Sequence, residues 1–303
     1  MEVQATIASV RGLVQALQAI RTSLKLPCAV TFDASGLKLR FLDGGHTMQS
    51  GISLSAAVFS QLSAPTSLTF CAPLNAVLDS INTVASSMPQ ELHMQYPGPD
   101  NCLLITANED PTARTHICSY AKVATLAQQG LAGPLDEMWD PAVECSHAIL
   151  SGLMLREAIE DLEWTGGAVE FAMHRSPTRF SLRSAKQTSL EITFPSSALN
   201  GFHCHAEEVR ARYKYKHLKA AFANVAQKDS WMAKVSINAQ GVLLVMHMLT
   251  LAGSAAPPVE APGLLGTFTS QSSAQRGPEC VVKFVILPHD EAAEAYGEDE
   301  DQM

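Results

Sequence analysis

The chain has 303 residues, about twice a typical domain of ~150, so its length favours two domains or one large one. Hydrophobic residues make up 47% and charged ones 17%, enough apolar side chain for substantial cores and too few charges for a disordered chain. No apolar run approaches the roughly 18–20 residues that span a bilayer, and Met1–Ser9 holds Glu2 and no base, so a soluble intracellular protein is expected.

The first strand pattern is Val3–Ser9, followed by a helix whose apolar stripe is Leu13, Leu17, Ile20 and Leu24. The other face of that helix carries Arg11, Arg21 and Lys25 and no acid. Cys28–Asp33 and Leu37–Leu42 read as strands around a Ser35-Gly36 turn, and Ser67–Cys71 as another. Pro73 opens a second helix with Leu74, Val77, Leu78, Ile81 and Val84 inward. Strands follow at Leu92–Tyr96, Cys102–Ala107 and Arg114–Val123. Residues 124–144, with Gly130, Gly133-Pro134 and Asp140-Pro141, have linker composition.

After the linker the pattern begins again. Ser146–Ser151 is a strand, and a third helix carries Leu155, Ile159 and Leu162. Ala168–His174, Thr178–Arg183 and Ser189–Phe194 are strands, and Glu208–Tyr213 leads into a fourth helix with Leu218, Ala221, Phe222 and Val225 inward. Trp231–Ile237, Val242–Leu249 and Cys280–Leu287 complete the set. Ile7-Ala8-Ser9 matches Ile149-Leu150-Ser151, and the stripe of the second helix matches that of the fourth, so the chain reads as an internal duplication of a sheet-rich unit with two helices. Residues 251–279, rich in Pro, Gly, Ser and Ala, interrupt the second copy as an inserted loop expected to be mobile.

The net charge of −9 is unevenly spread. Seven of the 30 acids lie from Asp290 onward with no base among them, which leaves 23 acids against 21 bases in residues 1–289. The end of the chain thus reads as a solvated acidic tail on a nearly neutral body. The seven cysteines are scattered and contain no CxxC, as expected of reduced, mostly buried thiols. The motifs of common hydrolases, nucleotide-binding loops and zinc proteases are missing. Asp161 and Glu163 stand two apart on a helix and point to different sides, and His203 and His205 lack a second ligand cluster, so no catalytic residue, metal or cofactor is expected. What remains is a set of bases at equivalent helices: Arg11, Arg21 and Lys25 on the first, Arg156 on the third, Lys216 and Lys219 on the fourth. Basic helix faces on a near-neutral body suit sequence-independent phosphate tracking.

Leu42-Asp43-Gly44-Gly45-His46-Thr47 and Leu287-Pro288 before the acidic tail, with the duplicated order, resemble the sliding-clamp family of proliferating cell nuclear antigen. A closer resemblance, to the Rad-one subunits of the nine-one-one DNA-damage checkpoint clamp, rests on three segments: Ser9-Val10-Arg11 with Leu17–Ile20, Gly152–Leu162, and Gly201 through Tyr213-Lys214 to Ile237. The resemblance implies an α+β, duplicated DNA-clamp fold: domains at 1–123 and 145–289, each with two helices lining a ring hole. The six bases named above would then face DNA. It further implies a non-catalytic subunit of a heterotrimeric ring in the nucleus, with two other clamp-like subunits, double-stranded DNA of any sequence, a checkpoint clamp loader and repair enzymes as partners. Ring closure as in other clamps would use edge strands bearing Ile117, Tyr120, Leu190 and Ile192. A peptide groove beneath the linker would be lined by Leu42, His46 and Pro288, with Trp139 nearby. The second helix departs from the pattern, presenting Asn75, Asp79 and Asn82 and no base. The competing readings are a metal-dependent 3′–5′ DNA exonuclease, which needs clustered carboxylates that the chain lacks outside its tail, and a homotrimeric replication clamp.

Overall fold

A computed structural model describes residues 2–7, 10–21, 27–85, 91–108, 118–126, 135–139, 145–165, 167–186, 188–225, 231–249, 251 and 280–289. The inserted segment from 252 and the acidic tail lie outside the described residues, as do Lys25 and Ile117.

Apolar alternation and two 3.6-residue stripes per half produce the same order of elements twice. The first half runs β1 (Val3–Ile7), α1 (Val10–Ala19), β2 (Pro27–Asp33), β3 (Gly36–Leu42), β4 (Met48–Ser55), β5 (Phe59–Ser63) and β6 (Leu68–Pro73). It continues with α2 (Leu74–Val84), β7 (Glu91–Tyr96), β8 (Leu103–Asn108) and β9 (Cys118–Val123). The second half runs β10 (Cys145–Ser151), α3 (Gly152–Asp161), β11 (Val169–His174), β12 (Arg179–Ala185), β13 (Ser189–Pro195) and β14 (Gly201–His203). It ends with β15 (Glu208–Tyr213), α4 (Tyr215–Ala223), β16 (Met232–Asn238), β17 (Leu243–Leu249) and β18 (Cys280–Ile286).

Three antiparallel sheets result. One has the order β5-β1-β7-β8-β9, another β13-β12-β11-β15, and the third β14-β10-β16-β17-β18-β4-β3-β2-β6. The nine-stranded sheet is the five-stranded unit of the second half joined to the four-stranded unit of the first through the β18–β4 ladder. In that ladder Cys280 faces Leu54 and Ile286 faces Met48, so the two halves share one hydrogen-bonded sheet. The core is correspondingly continuous: Leu13, Leu17, Phe32, Ile81, Leu155, Phe222, Val235 and Phe284 belong to one buried apolar cluster. The turn into β3 requires glycine, since Gly36 has φ +137° and a Cβ there would lie 1.9 Å from the Leu54 carbonyl oxygen.

Three features depart from the sequence reading. Strands β4 and β5 carry no sequence expectation, because serine, glycine and glutamine dilute the apolar alternation that marks a strand. The repeat register differs by one residue: Ile7 and Leu150 are fully buried while Ile149 is half-buried, so Leu150 occupies the inward position of Ile7. The linker is not wholly loop, since Leu135–Met138 forms a single helical turn whose Leu135 is buried. Cys28, Cys71, Cys102, Cys204 and Cys280 are buried, and burial pushes the Cys28 thiol up to about 12, leaving it protonated.

Candidate nucleic-acid interface

The four helices form a layer on one side of the sheets. Helix α1 packs against α2 and α4, and α4 against α3, giving the lateral order α2-α1-α4-α3. The seam between halves is closed at its end by Asn224, whose side-chain amide donates to the Arg21 carbonyl at 2.8 Å. Each helix buries the described residues of its predicted stripe, Leu24 lying outside them, and exposes the opposite face.

The exposed faces differ in charge. Arg11, Gln15 and Gln18 are exposed along α1 and Arg21 just past its end, and Lys216 and Lys219 on α4, with Lys214 half-buried at its start. On α2 the exposed residues include Asp79, Asn82 and Thr83, and on α3 they include Glu157, Glu160 and Asp161. The basic surface is therefore a stripe along the two central helices, flanked by acidic or neutral ones. Among the described residues, the predicted DNA-facing bases Arg156 and Lys219 are engaged by carboxylates. The Arg156 guanidinium donates to Glu160 at 2.7 Å one helical turn on, and the Lys219 ammonium pairs with Glu163 across α3 and α4. Glu160 follows Arg156 at the i,i+4 spacing of a single helix, whereas only the packing of α3 against α4 sets Glu163 beside Lys219. The same acids act on Tyr215, whose phenol is pushed up to about 12 by burial and then by Glu163 and Glu160. Glu163 is thus an ion-pair partner rather than half of a metal pair with the exposed Asp161, and among the described residues no group of three metal-ligating side chains converges. His205 is likewise occupied, its Nδ1 lying 2.8 Å from the Ser146 hydroxyl.

Beneath the second-half helices lies a buried polar pair that no local pattern announces. The Trp231 indole N–H donates to His247 Nδ1 at 3.0 Å, and His247 Nε2–H donates to the Ala221 carbonyl of α4 at 2.9 Å. Both ring nitrogens are committed, and burial pushes the imidazole down to about 4, so it is neutral near pH 7. Gly152 opens α3 directly over this pair: a Cβ there would sit 2.3 Å from the Trp231 ring.

Among the described residues, the strands expected to carry the edge contacts both lie at the end of a sheet. β9 ends the five-stranded sheet and β13 ends the four-stranded one. Tyr120 on β9 is 67% exposed. Leu190 and Ile192 are not: both are half-buried against the protein's own core, because inward-facing positions alternate with exposed Ser189, Glu191 and Thr193 along β13.

The predicted peptide groove is partly filled. Leu42 and Trp139 pack on a small apolar cluster of Leu135, Val242, Leu244 and Val285, on the sheet face away from the helices. The linker turn is pinned there by the Leu135 N–H donating to Gln49 Oε1 at 2.8 Å and by Asn238 donating to the Met138 carbonyl at 3.2 Å. His46, at φ 52°, and Pro288 are exposed at the margin of this region. Between them Asp43 accepts from the Thr47 and Met48 N–H groups at 2.7 and 2.8 Å. Burial raises its carboxyl, but these hydrogen bonds, with help from His217, hold it below the ordinary value. His217 is buried with Nε2 3.6 Å from Asp43, and desolvation lowers its imidazole despite that carboxylate. Asp43 and His217 stand 174 residues apart in the chain, and only the fold brings them together.

A duplicated sheet-and-helix unit with a continuous shared sheet and a four-helix layer defines a sliding-clamp subunit. The fold is shared with proliferating cell nuclear antigen of Thermococcus kodakaraensis, at TM-score 0.70 and 13% identity over 95% of this chain and 100% of that one. It is also shared with the PCNA2–PCNA3 complex of Sulfolobus tokodaii, at 0.66 and 13% over 94% and 98%, and with the Entamoeba histolytica antigen, at 0.66 and 11% over 95% and 99%. No curated protein matches the sequence. The family model described as repair protein Rad1/Rec1/Rad17 matches residues 2–249, and the chain belongs to that family. It is a checkpoint sliding-clamp subunit, of a class that is generally non-catalytic.

Proposed function

We propose that the chain is one of three different clamp-like subunits of a ring that encircles double-stranded DNA of any sequence at damage sites. The ring works in the nucleus, where a clamp loader places it and repair enzymes dock on it. In this reading residues 1–123 and 145–289 are the two clamp domains, residues 124–144 link them, and the ring acts by topology rather than by catalysis.

One observation carries the reading. Each strand of the first half has its counterpart nine labels on, so β18 and β4, which pair within the chain, are the counterparts of β9 and β13, which end their sheets. The chain already contains one example of the junction that β9 and β13 of neighbouring subunits would form. Repeating it closes a ring in which every sheet edge of this kind is covered, which is how an exposed β edge is kept from indiscriminate pairing. The helix layer then faces the hole, with Arg11, Arg21 and Lys216 toward the duplex.

Tyr120→Asp tests the junction. Because Tyr120 is largely exposed, the variant subunit should keep its fold by circular dichroism. Its assembly with partner subunits should weaken by on the order of 10- to 30-fold, as for loss of an aromatic anchor of about 2 kcal/mol. Unchanged assembly would remove β9 from the ring contact. Ile192→Asp is a poorer test than an exposed edge residue would be, since Ile192 packs on the core.

A further inference from the structure

The sheet face away from the helices carries a basic depression that the reading above leaves unused. Arg40 of β3, Gly51 of β4 and Lys283 of β18 stand directly opposite one another in consecutive ladders. Because Gly51 has no side chain, an open row of about 10 Å, two strand spacings, separates the two bases. The depression holds a cavity of about 220 Å³, lined also by Lys38, Thr31, Ser53 and Gln49. Strand alternation turns these side chains outward, since the intervening Leu39, Ile52 and Phe284 are buried in the core on the helix side. Lys38 pairs with Asp33 at 2.9 Å; among the described residues no carboxylate pairs with Arg40 or Lys283. Two half-buried cations converging on a polar cavity with no acid in its lining form a site for carboxylate or another anion.

We propose that this groove binds a polyacidic segment, and that its occupant is the chain's own run of residues 290–303. The run holds seven acids and no base, a direct charge complement. It also begins close by. Lys283 and Val285 line the cavity, and the chain continues from β18 to His289, whose N–H donates to the Arg212 carbonyl at 2.7 Å. Six residue steps lead from Lys283 to His289, at most about 20 Å, whereas the nine steps from His289 to Glu298 reach up to about 30 Å. Glu298, Asp299, Glu300 and Asp301 are therefore within reach of Arg40 and Lys283. The bound run screens the groove, so other acidic segments dock there only by displacing it.

The test uses the full chain and a labelled deca-glutamate peptide followed by fluorescence anisotropy at low salt. A tethered competitor acts at an effective concentration on the order of 1 mM. Converting Glu298, Asp299, Glu300 and Asp301 to their amides should therefore tighten peptide binding by about tenfold or more. Adding Arg40→Met and Lys283→Met to the amide variant should abolish that binding. Carbodiimide cross-linking of the unmodified chain should join Lys283 or Lys38 to one of those four acids, within one chain in a mixture of light and heavy isotopes. Peptide binding that the amide changes leave unaltered, or that survives loss of Arg40 and Lys283, overturns the proposal. So do cross-links that run instead to Lys214, Lys216 and Lys219 or only between chains.

Discussion

Replacing Arg11, Arg21 and Lys216 with alanine removes three exposed bases from α1, the residues just after it and α4. If each neutralises one phosphate, the slope of log affinity against log salt falls by about 0.9 per residue, or about 2.7 for the three. Over a fourfold rise in salt, such as ~50 to ~200 mM, a slope of that size is worth about 40-fold in affinity. The variant ring should therefore bind DNA more weakly at low salt and lose less of its binding as salt rises. Arg156→Ala supplies the contrast. Its guanidinium is held by Glu160 at 2.7 Å on the acidic face of α3, so the slope should hardly move. The measurement is equilibrium anisotropy of a labelled duplex with the assembled ring across a salt series, with ring mass verified for each variant. An unchanged slope in an intact triple-variant ring, or an equal change for Arg156→Ala, would refute the central-stripe assignment.

Three further outcomes follow from the same geometry. Glu163→Gln releases the Lys219 ammonium, and the DNA salt slope of the assembled ring should steepen by up to about 0.9. Gly152→Ala forces a Cβ into the Trp231 indole, and urea unfolding should show a loss of about 1–3 kcal/mol with an altered Trp231 emission. His247 has a folded value of about 4 against 6.5 ordinarily, so between these values the unfolded state binds the extra proton. The stability it confers is complete above pH 6.5 and is lost as pH falls toward 4, by about 3 kcal/mol in all. His247→Gln, whose amide can accept from Trp231 and donate to Ala221, should remove that component of the acid dependence; an unaltered pH profile in urea titrations would show that His247 is not its source.

Much of this was legible in the linear pattern. The stripe Leu13, Leu17, Ile20 and its counterparts marked four helices, and alternation in Cys28–Asp33 or Trp231–Ile237 marked strands, because these periods are properties of one element and its solvent. The duplicated order followed from repeating those local signals, whereas the clamp class came from the resemblance carried by segments such as Leu42–Thr47 and Gly152–Leu162. Polar strands such as β4 escaped, since burial there comes from neighbouring ladders and not from their own composition. Charge was legible as a count but not as a surface: Lys219 reads as free until α3 brings Glu163 beside it, and Arg40 and Lys283 read as unrelated until Gly51 aligns them. The inward turn of Ile192, the pairing of His217 with Asp43 and the covering of Leu42 by the linker depend on residues far apart in the chain. Local sequence determines which elements form and which face each must bury. Which charges are left unpaired, and which edges stay open, is settled only when those buried faces pack and fix the distances between side chains that the sequence keeps apart.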